Sequence, residues 1–161
     1  MKLFQRPQPL PKEIRSHFAQ GEFLLAWGLH RTGILTVTDQ RLLVSIDQEL
    51  QDWFWSDALS ARWEAPDLHV IFLHNGEPKT VSYELTDPGL VPTAVRDRVT
   101  SIIVIDRYLD VAEVGKVRFI ARRTASGIQW TTLPGGDLVS SGVSQSRIKD
   151  ALSSLRSTLG I

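Results

Sequence analysis

The residues best suited to chemistry are four histidines, at positions 17, 30, 69 and 74, because imidazole can ligate a metal or move a proton near neutral pH. A zinc or iron site needs several convergent ligands. His69 and His74 are five residues apart, which on a regular strand sends them to opposite faces. His17 falls on a short helix and His30 in a turn. The chain has no cysteine, which excludes a disulfide, a thiolate nucleophile and a Cys-ligated zinc. The histidines read as four separate side chains, and neither a metal nor a cofactor is expected.

Other catalytic patterns are equally incomplete. Serine chemistry needs a positioned Ser, His and acid, and the chain carries no Gly-x-Ser-x-Gly elbow. Ser126-Gly127 and Ser140-Ser141-Gly142 read as turns. Pro134-Gly135-Gly136-Asp137 resembles the start of a phosphate loop, but no Lys-Ser or Lys-Thr follows it. Asp106 with Asp110, and Asp52 with Asp57, could supply paired carboxylates, yet nothing around them suggests desolvation. No catalytic residue is assigned, and a non-enzyme is expected.

Two stretches could bind rather than react. In Lys116-Val117-Arg118-Phe119-Ile120-Ala121-Arg122-Arg123, strand alternation puts Lys116, Arg118 and Arg122 on one face, with Arg123 beside them. That face could meet an acidic partner, phosphate or an RNA backbone, or be an ordinary solvated outer face. In Trp53-Phe54-Trp55, neighbours face opposite ways. Either Phe54 is exposed while Trp53 and Trp55 face inward, or the reverse. Exposed aromatic side chains anchor interfaces. Trp53, Phe54, Trp55, Lys116, Arg118, Arg122 and Arg123 are therefore the candidate interaction surface.

The elements that must position these residues are mostly strands. At 161 residues the chain can bury a sizeable core, and 42% hydrophobic with 22% charged residues fits a globular protein. Eighteen basic residues balance eighteen acidic ones, which gives no global attraction to nucleic acid or anionic lipid. The first residues lack an apolar core of signal-peptide length, and Ile102-Ile103-Val104-Ile105 is far too short to span a bilayer. A soluble, cytoplasmic protein is expected, without an integral membrane segment.

Residues 1–20 read as an extended tail and a short helix after Pro11, with Ile14 and Phe18 on one face and Gly21 as its stop. Strands are expected at 23–27, 34–37, 42–46, 53–55, 59–63, 68–73 and 81–85, with a hairpin turn over Thr38 to Arg41 and another at Asn75-Gly76. Val91, Val95, Val99 and Ile102 recur at helical spacing. Val117 to Ala121 and Ile128 to Leu133 read as two further strands. A last helix carries Ile148, Leu152, Leu155 and Leu159, with Ser144 or Ser146 as its cap.

Seven short antiparallel strands followed by a helix resemble the element order of a pleckstrin-homology-like (PH-like) domain. Gly33-x-Leu35-x-x-Thr38-x-x-Arg41-Leu42-Leu43 is similar to the second and third strands of bacterial PH-like proteins. Asp52 to Leu59, followed by Ala61-Arg62-Trp63, resembles the next strand pair. The resemblance covers residues 21–105, and the chain as a whole is similar to small actinobacterial proteins of this kind. It implies a mainly β fold over 21–105, a partly open antiparallel barrel with a capping helix; residues 106–161 lie outside the resemblance, and the two strands and helix read there are expected to pack on it as a ββα extension. It implies no inositol-phosphate site, because the first turn, Gly28 to Gly33, holds a single Arg and a His where phosphoinositide binders cluster Lys and Arg. The function expected is a binding or adaptor module of the bacterial cytoplasm. It would act on a protein partner through a sheet edge, the aromatic segment or the basic strand, and could pair with itself. Peripheral anionic-lipid or phosphate binding through the basic strand is the alternative, and an unrecognised enzyme the second; specific nucleic-acid binding is not expected.

Overall fold

The computed structural model of the protein describes residues 9–134 and 142–161. The tail up to residue 8, the Pro134 to Asp137 loop beyond Pro134 and the Ser140-Ser141 pair lie outside the described residues. The chain divides into two compact units, the first ending at Val99 and the second covering Thr100–Ile161.

In the first unit, α1 is a single turn at Lys12–Arg15. Ile14 is buried on it, whereas Phe18 lies beyond its end, so the expected amphipathic helix is shorter than the spacing suggested. Seven strands follow: β1 Leu24–His30, β2 Gly33–Thr38, β3 Arg41–Ile46, β4 Glu49–Phe54, β5 Ala58–Glu64, β6 Asp67–His74 and β7 Glu77–Asp87. A 3-10 turn at Trp55–Asp57 separates β4 from β5. All neighbours pair antiparallel, in the order β4-β3-β2-β1-β7-β6-β5. β4 and β5 are the two edges, so the strands form an open antiparallel sheet and not the expected partly open barrel.

Turn chemistry fixes the registers. The β2–β3 hairpin turns over Asp39 and Gln40, inside the expected Thr38 to Arg41 turn. The β1–β2 turn is only Arg31-Thr32, because Gly28, Leu29 and His30 belong to β1. Asp47 and Gln48 join β3 to β4 with φ of 50° and 66°, a primed two-residue turn built without glycine. It starts β4 at Glu49, earlier than the aromatic run alone indicates. At Gly33 a Cβ would run into the Ser45 carbonyl oxygen of β3 and lie 2.8 Å from Ile46 Cα, so only glycine fits there.

Register then sorts the core. Leu35, Val37, Leu42 and Val44 share the inner face of β2 and β3 and are 0–2% exposed. Leu68, Val70 and Phe72 on β6, with Val81, Tyr83 and Leu85 on β7, supply the facing layer. Trp53 on β4 stacks on Phe72 of β6, with ring centroids 5.4 Å apart. These strands are five positions apart in the order, about 24 Å on a flat sheet at ~4.8 Å per strand. The sheet must therefore coil strongly enough to bring its two halves face to face. Tyr83 accepts a hydrogen bond from Trp53 Nε1 at 3.1 Å across that fold. Burial raises the Tyr83 phenol above its ordinary value of 10.0, and the Trp53 donor partly offsets this.

α2 (Val91–Ile102) follows β7 with Val91, Val95 and Val99 buried, the expected stripe. It passes without a loop into β8 (Ile103–Val111). β8 pairs with β9 (Gly115–Thr124), which pairs with β10 (Gly127–Pro134), and α3 (Gly142–Leu159) completes the second unit. The expected ββα extension is thus a βββα unit. The apolar run 102–105 is the end of a helix and the start of a strand, and Ile103, Val104 and Ile105 are β-branched residues that favour the latter. One sheet face carries Val117 and Phe119 with Val111 and Val114, packed by Ile148, Ala151, Leu152 and Leu155 of α3. Ser144 and Ser146 lie inside α3, so neither is its cap. Gly160, at φ 73°, ends the helix as expected.

Candidate functional site

A polar cluster centred on Glu22 is one that motif reading did not find. Glu22 lies just before β1 with its side chain fully buried, and its carboxylate accepts four hydrogen bonds. Oε1 takes the Thr38 hydroxyl at 2.6 Å and Arg41 Nε at 3.0 Å; Oε2 takes the Ala19 N–H at 2.7 Å and an Arg41 terminal nitrogen at 3.1 Å. Arg41 also donates to Asp52 at 2.9 Å and to the His17 carbonyl at 2.7 Å, and its guanidinium lies 5.7 Å from the Phe54 ring centroid. The Thr38 hydroxyl meanwhile accepts the Gln40 and Arg41 N–H groups, which shapes the β2–β3 turn. Burial alone would raise the Glu22 carboxyl, but hydrogen bonds from Arg41, Thr38 and Ala19 outweigh it and hold the carboxyl below its ordinary 4.5. The Glu22 bond raises Arg41 in turn. Thr38 and Arg41 of the Gly33 to Leu43 pattern are therefore clamps on the N-terminal segment. With both carboxylate oxygens doubly engaged, Glu22 has no lone pair aimed at a substrate.

The aromatic segment takes the first of its two arrangements. Trp53 is half-buried on the inner face of β4, Trp55 is 1% exposed and Phe54 is 44% exposed on the outer face. Trp55 has left the strand for the 3-10 turn, where its Nε1 donates to the Thr38 carbonyl at 2.8 Å. Lys79 Nζ sits 5.4 Å from the Trp53 ring, and His74 meets it edge-on at 5.7 Å. A groove of about 500 Å³ runs along β4 from Leu50 to Phe54, with Phe72, Leu73 and His74 of β6, Asp57 and Lys79 completing its walls.

The basic strand carries less free charge than its letters suggest. Arg118 makes a two-pronged bond to Asp106, at 2.8 and 2.7 Å, and its pKa is raised chiefly by that bond. Arg122 is 2% exposed and donates to the Thr131 hydroxyl at 3.2 Å, so it does not line a solvated face. Lys116 and Arg123 are exposed. Lys116 and Arg118 flank the Tyr108 ring at 5.2 and 5.7 Å. Trp53, Phe54 and Trp55 belong to the first unit and these cations to the second.

The histidines stay apart in role. His69 and His74 both lie on β6, where His69 bonds to the Ser82 hydroxyl at 2.7 Å and His74 contacts Trp53. His30 engages the Thr32 N–H at 3.1 Å. Among the described residues no cluster of His, Cys, Asp and Glu could hold a metal ion. Among them also, no helix is long and apolar enough to cross a membrane. Comparison of the chain with protein-family models, curated proteins and solved structures found no match.

Proposed function

We propose that the chain is a non-enzymatic binding or adaptor module of the bacterial cytoplasm, built on a PH-like scaffold and working by protein–protein contact. The observation that carries this reading is the open edge of β4, where Leu50 and Phe54 are 41% and 44% exposed beside a groove of about 500 Å³. Exposed aromatic and aliphatic side chains next to a concave surface are what interface anchors need. Seven antiparallel strands followed by α2 support the PH-like scaffold. The engagement of Glu22 within its own network supports a structural duty for this buried carboxylate. The anionic-lipid alternative draws less support, because Asp106 holds Arg118 and burial removes Arg122 from the surface.

Affinity capture from native-host lysate, read by mass spectrometry, tests the proposal with the wild-type chain and Phe54→Glu. A protein enriched by the wild type and lost with Phe54→Glu is the expected result. Turnover of a small molecule, abolished by one substitution and accompanied by no captured protein, would overturn it.

A further inference from the structure

The β4 edge narrows the kind of partner, because antiparallel geometry decides which backbone groups a strand leaves over. The primed turn at Asp47-Gln48 makes Ile46 and Glu49 a hydrogen-bonded pair. At the other end, the Trp55 N–H donates to the Gln40 carbonyl at 3.1 Å, in the same phase. Glu49, Gln51 and Trp53 therefore bond back to β3. Leu50, Asp52 and Phe54 turn their N–H and C=O groups outward, where β4 has no neighbouring strand. These are the residues that also line the groove.

We propose that this groove takes an extended segment of a partner protein, added as a strand to β4 and carrying a basic side chain opposite Asp52. The proposal rests on the adaptor reading and supplies its site and the chemistry of its partner. From Leu50 to Phe54 the edge offers roughly 13 Å of unpaired strand at ~3.3 Å per residue. On the inner side, Trp53 and Phe72 give an added strand an apolar floor. On the outer side, Asp52 stands between Leu50 and Phe54 with its side chain 45% exposed. A residue directly opposite it would place its Cβ about 5 Å away. Asp52 shares Arg41 with Glu22, at 2.9 Å and 3.0 Å, so the three groups together leave one net negative charge at this edge, and a Lys or Arg flanked by apolar residues is the complementary sequence. A second copy of this chain fits less well. Pairing β4 with itself at fullest overlap sets Asp52 against its own counterpart, and directly opposed like charges destabilise a strand pair.

The test uses the full chain, labelled with nitrogen-15, and short acetylated peptides of alternating threonine and valine with arginine or glutamate at the centre. Expected are saturable amide shifts at Leu50, Asp52 and Phe54 with the arginine peptide, and binding about tenfold or more weaker with the glutamate peptide. Leu50→Pro replaces an outward N–H, costs no β3 bond and should abolish the shifts. Should that variant fail to fold, an arginine peptide methylated on its backbone nitrogens must lose binding to the unaltered protein. Equal affinity for both peptides, or no shift at these amides with millimolar peptide, overturns the proposal. So does a dimer in sedimentation that Leu50→Pro dissolves, since a second copy then occupies the edge. A cellular partner still captured by Leu50→Pro removes this site and leaves the adaptor reading intact. A groove that binds the arginine peptide while lysate yields no partner leaves the site and removes the adaptor reading.

Discussion

Arg41 with Glu22 and Arg118 with Asp106 are the same chemical pair in two settings. By distance the second is the tighter, at 2.7 Å against 3.0 Å. By setting the order reverses. The Glu22 side chain is 0% exposed and also bonded by Thr38 and the Ala19 amide, whereas the Asp106 side chain is 36% exposed. Water can replace Arg118 around Asp106; around Glu22 nothing can replace Arg41. The strength of an ion pair is thus set by what its members would have in its absence, and the separation of the atoms says little about it.

The largest expected effect breaks the buried side of this comparison. Glu22→Ala leaves Arg41 partly buried without its main partner and should cost about 3–5 kcal/mol in urea unfolding. Arg41→Ala should match it, and the double variant should cost much less than the sum. Next in size is the loss of a neutral member of the network. Thr38→Val removes the hydroxyl that serves Glu22 and two turn amides, an expected loss of about 1–3 kcal/mol. Two residues earlier on the same strand, the buried Thr36 hydroxyl has no hydrogen-bond partner, so Thr36→Val should be neutral or stabilising in the same assay.

Acid sharpens the comparison. The Glu22 carboxyl titrates lower in the folded chain than its ordinary 4.5. Its contribution to stability is therefore complete above that value and is lost as pH falls through the depressed one. Melting temperature measured from pH 6 downward should fall more steeply below about 4.5 for the wild type than for Glu22→Gln, which has no carboxyl to protonate. The smallest effect belongs to the exposed pair: Asp106→Asn should change stability by about 0–1 kcal/mol. A cost as large as that of Glu22→Ala would refute the distinction drawn between the two pairs.

What the chain reveals by its letters follows how local each cause is. The β2–β3 hairpin, the Asn75-Gly76 turn, the valine stripe of α2 and the leucine stripe of α3 are decided by residues a few positions apart, and they are legible. Glu22 is not, because its partners lie 16 and 19 positions away and only the sheet brings them together. The start of β4 is hidden because Asp47-Gln48 forms a primed turn without the glycine that normally marks one. β8 is hidden because its first β-branched residues continue the apolar run that ends α2. Alternation correctly confined Trp53 and Phe54 to opposite faces, but it could not choose between the two arrangements. Alternation also put Arg122 with Lys116 and Arg118, and only burial separates it from them.

Gly33 carries a consequence for how relatives of this chain could be found. A methyl group at that position would collide with the neighbouring strand, and Thr38 and Arg41 are held by the turn they build. Selection acting on these letters is selection for a shape that assembles, whatever the protein later touches. At the β4 edge Asp52 and Phe54 also meet Arg41, so the fold constrains part of that pattern too. A search keyed to the Gly33 to Leu43 pattern would gather chains that share a scaffold and diverge freely in their partners. If the β4 edge takes a strand as proposed, a search keyed to the alternation of Leu50, Asp52 and Phe54 would gather chains that share that mode of pairing.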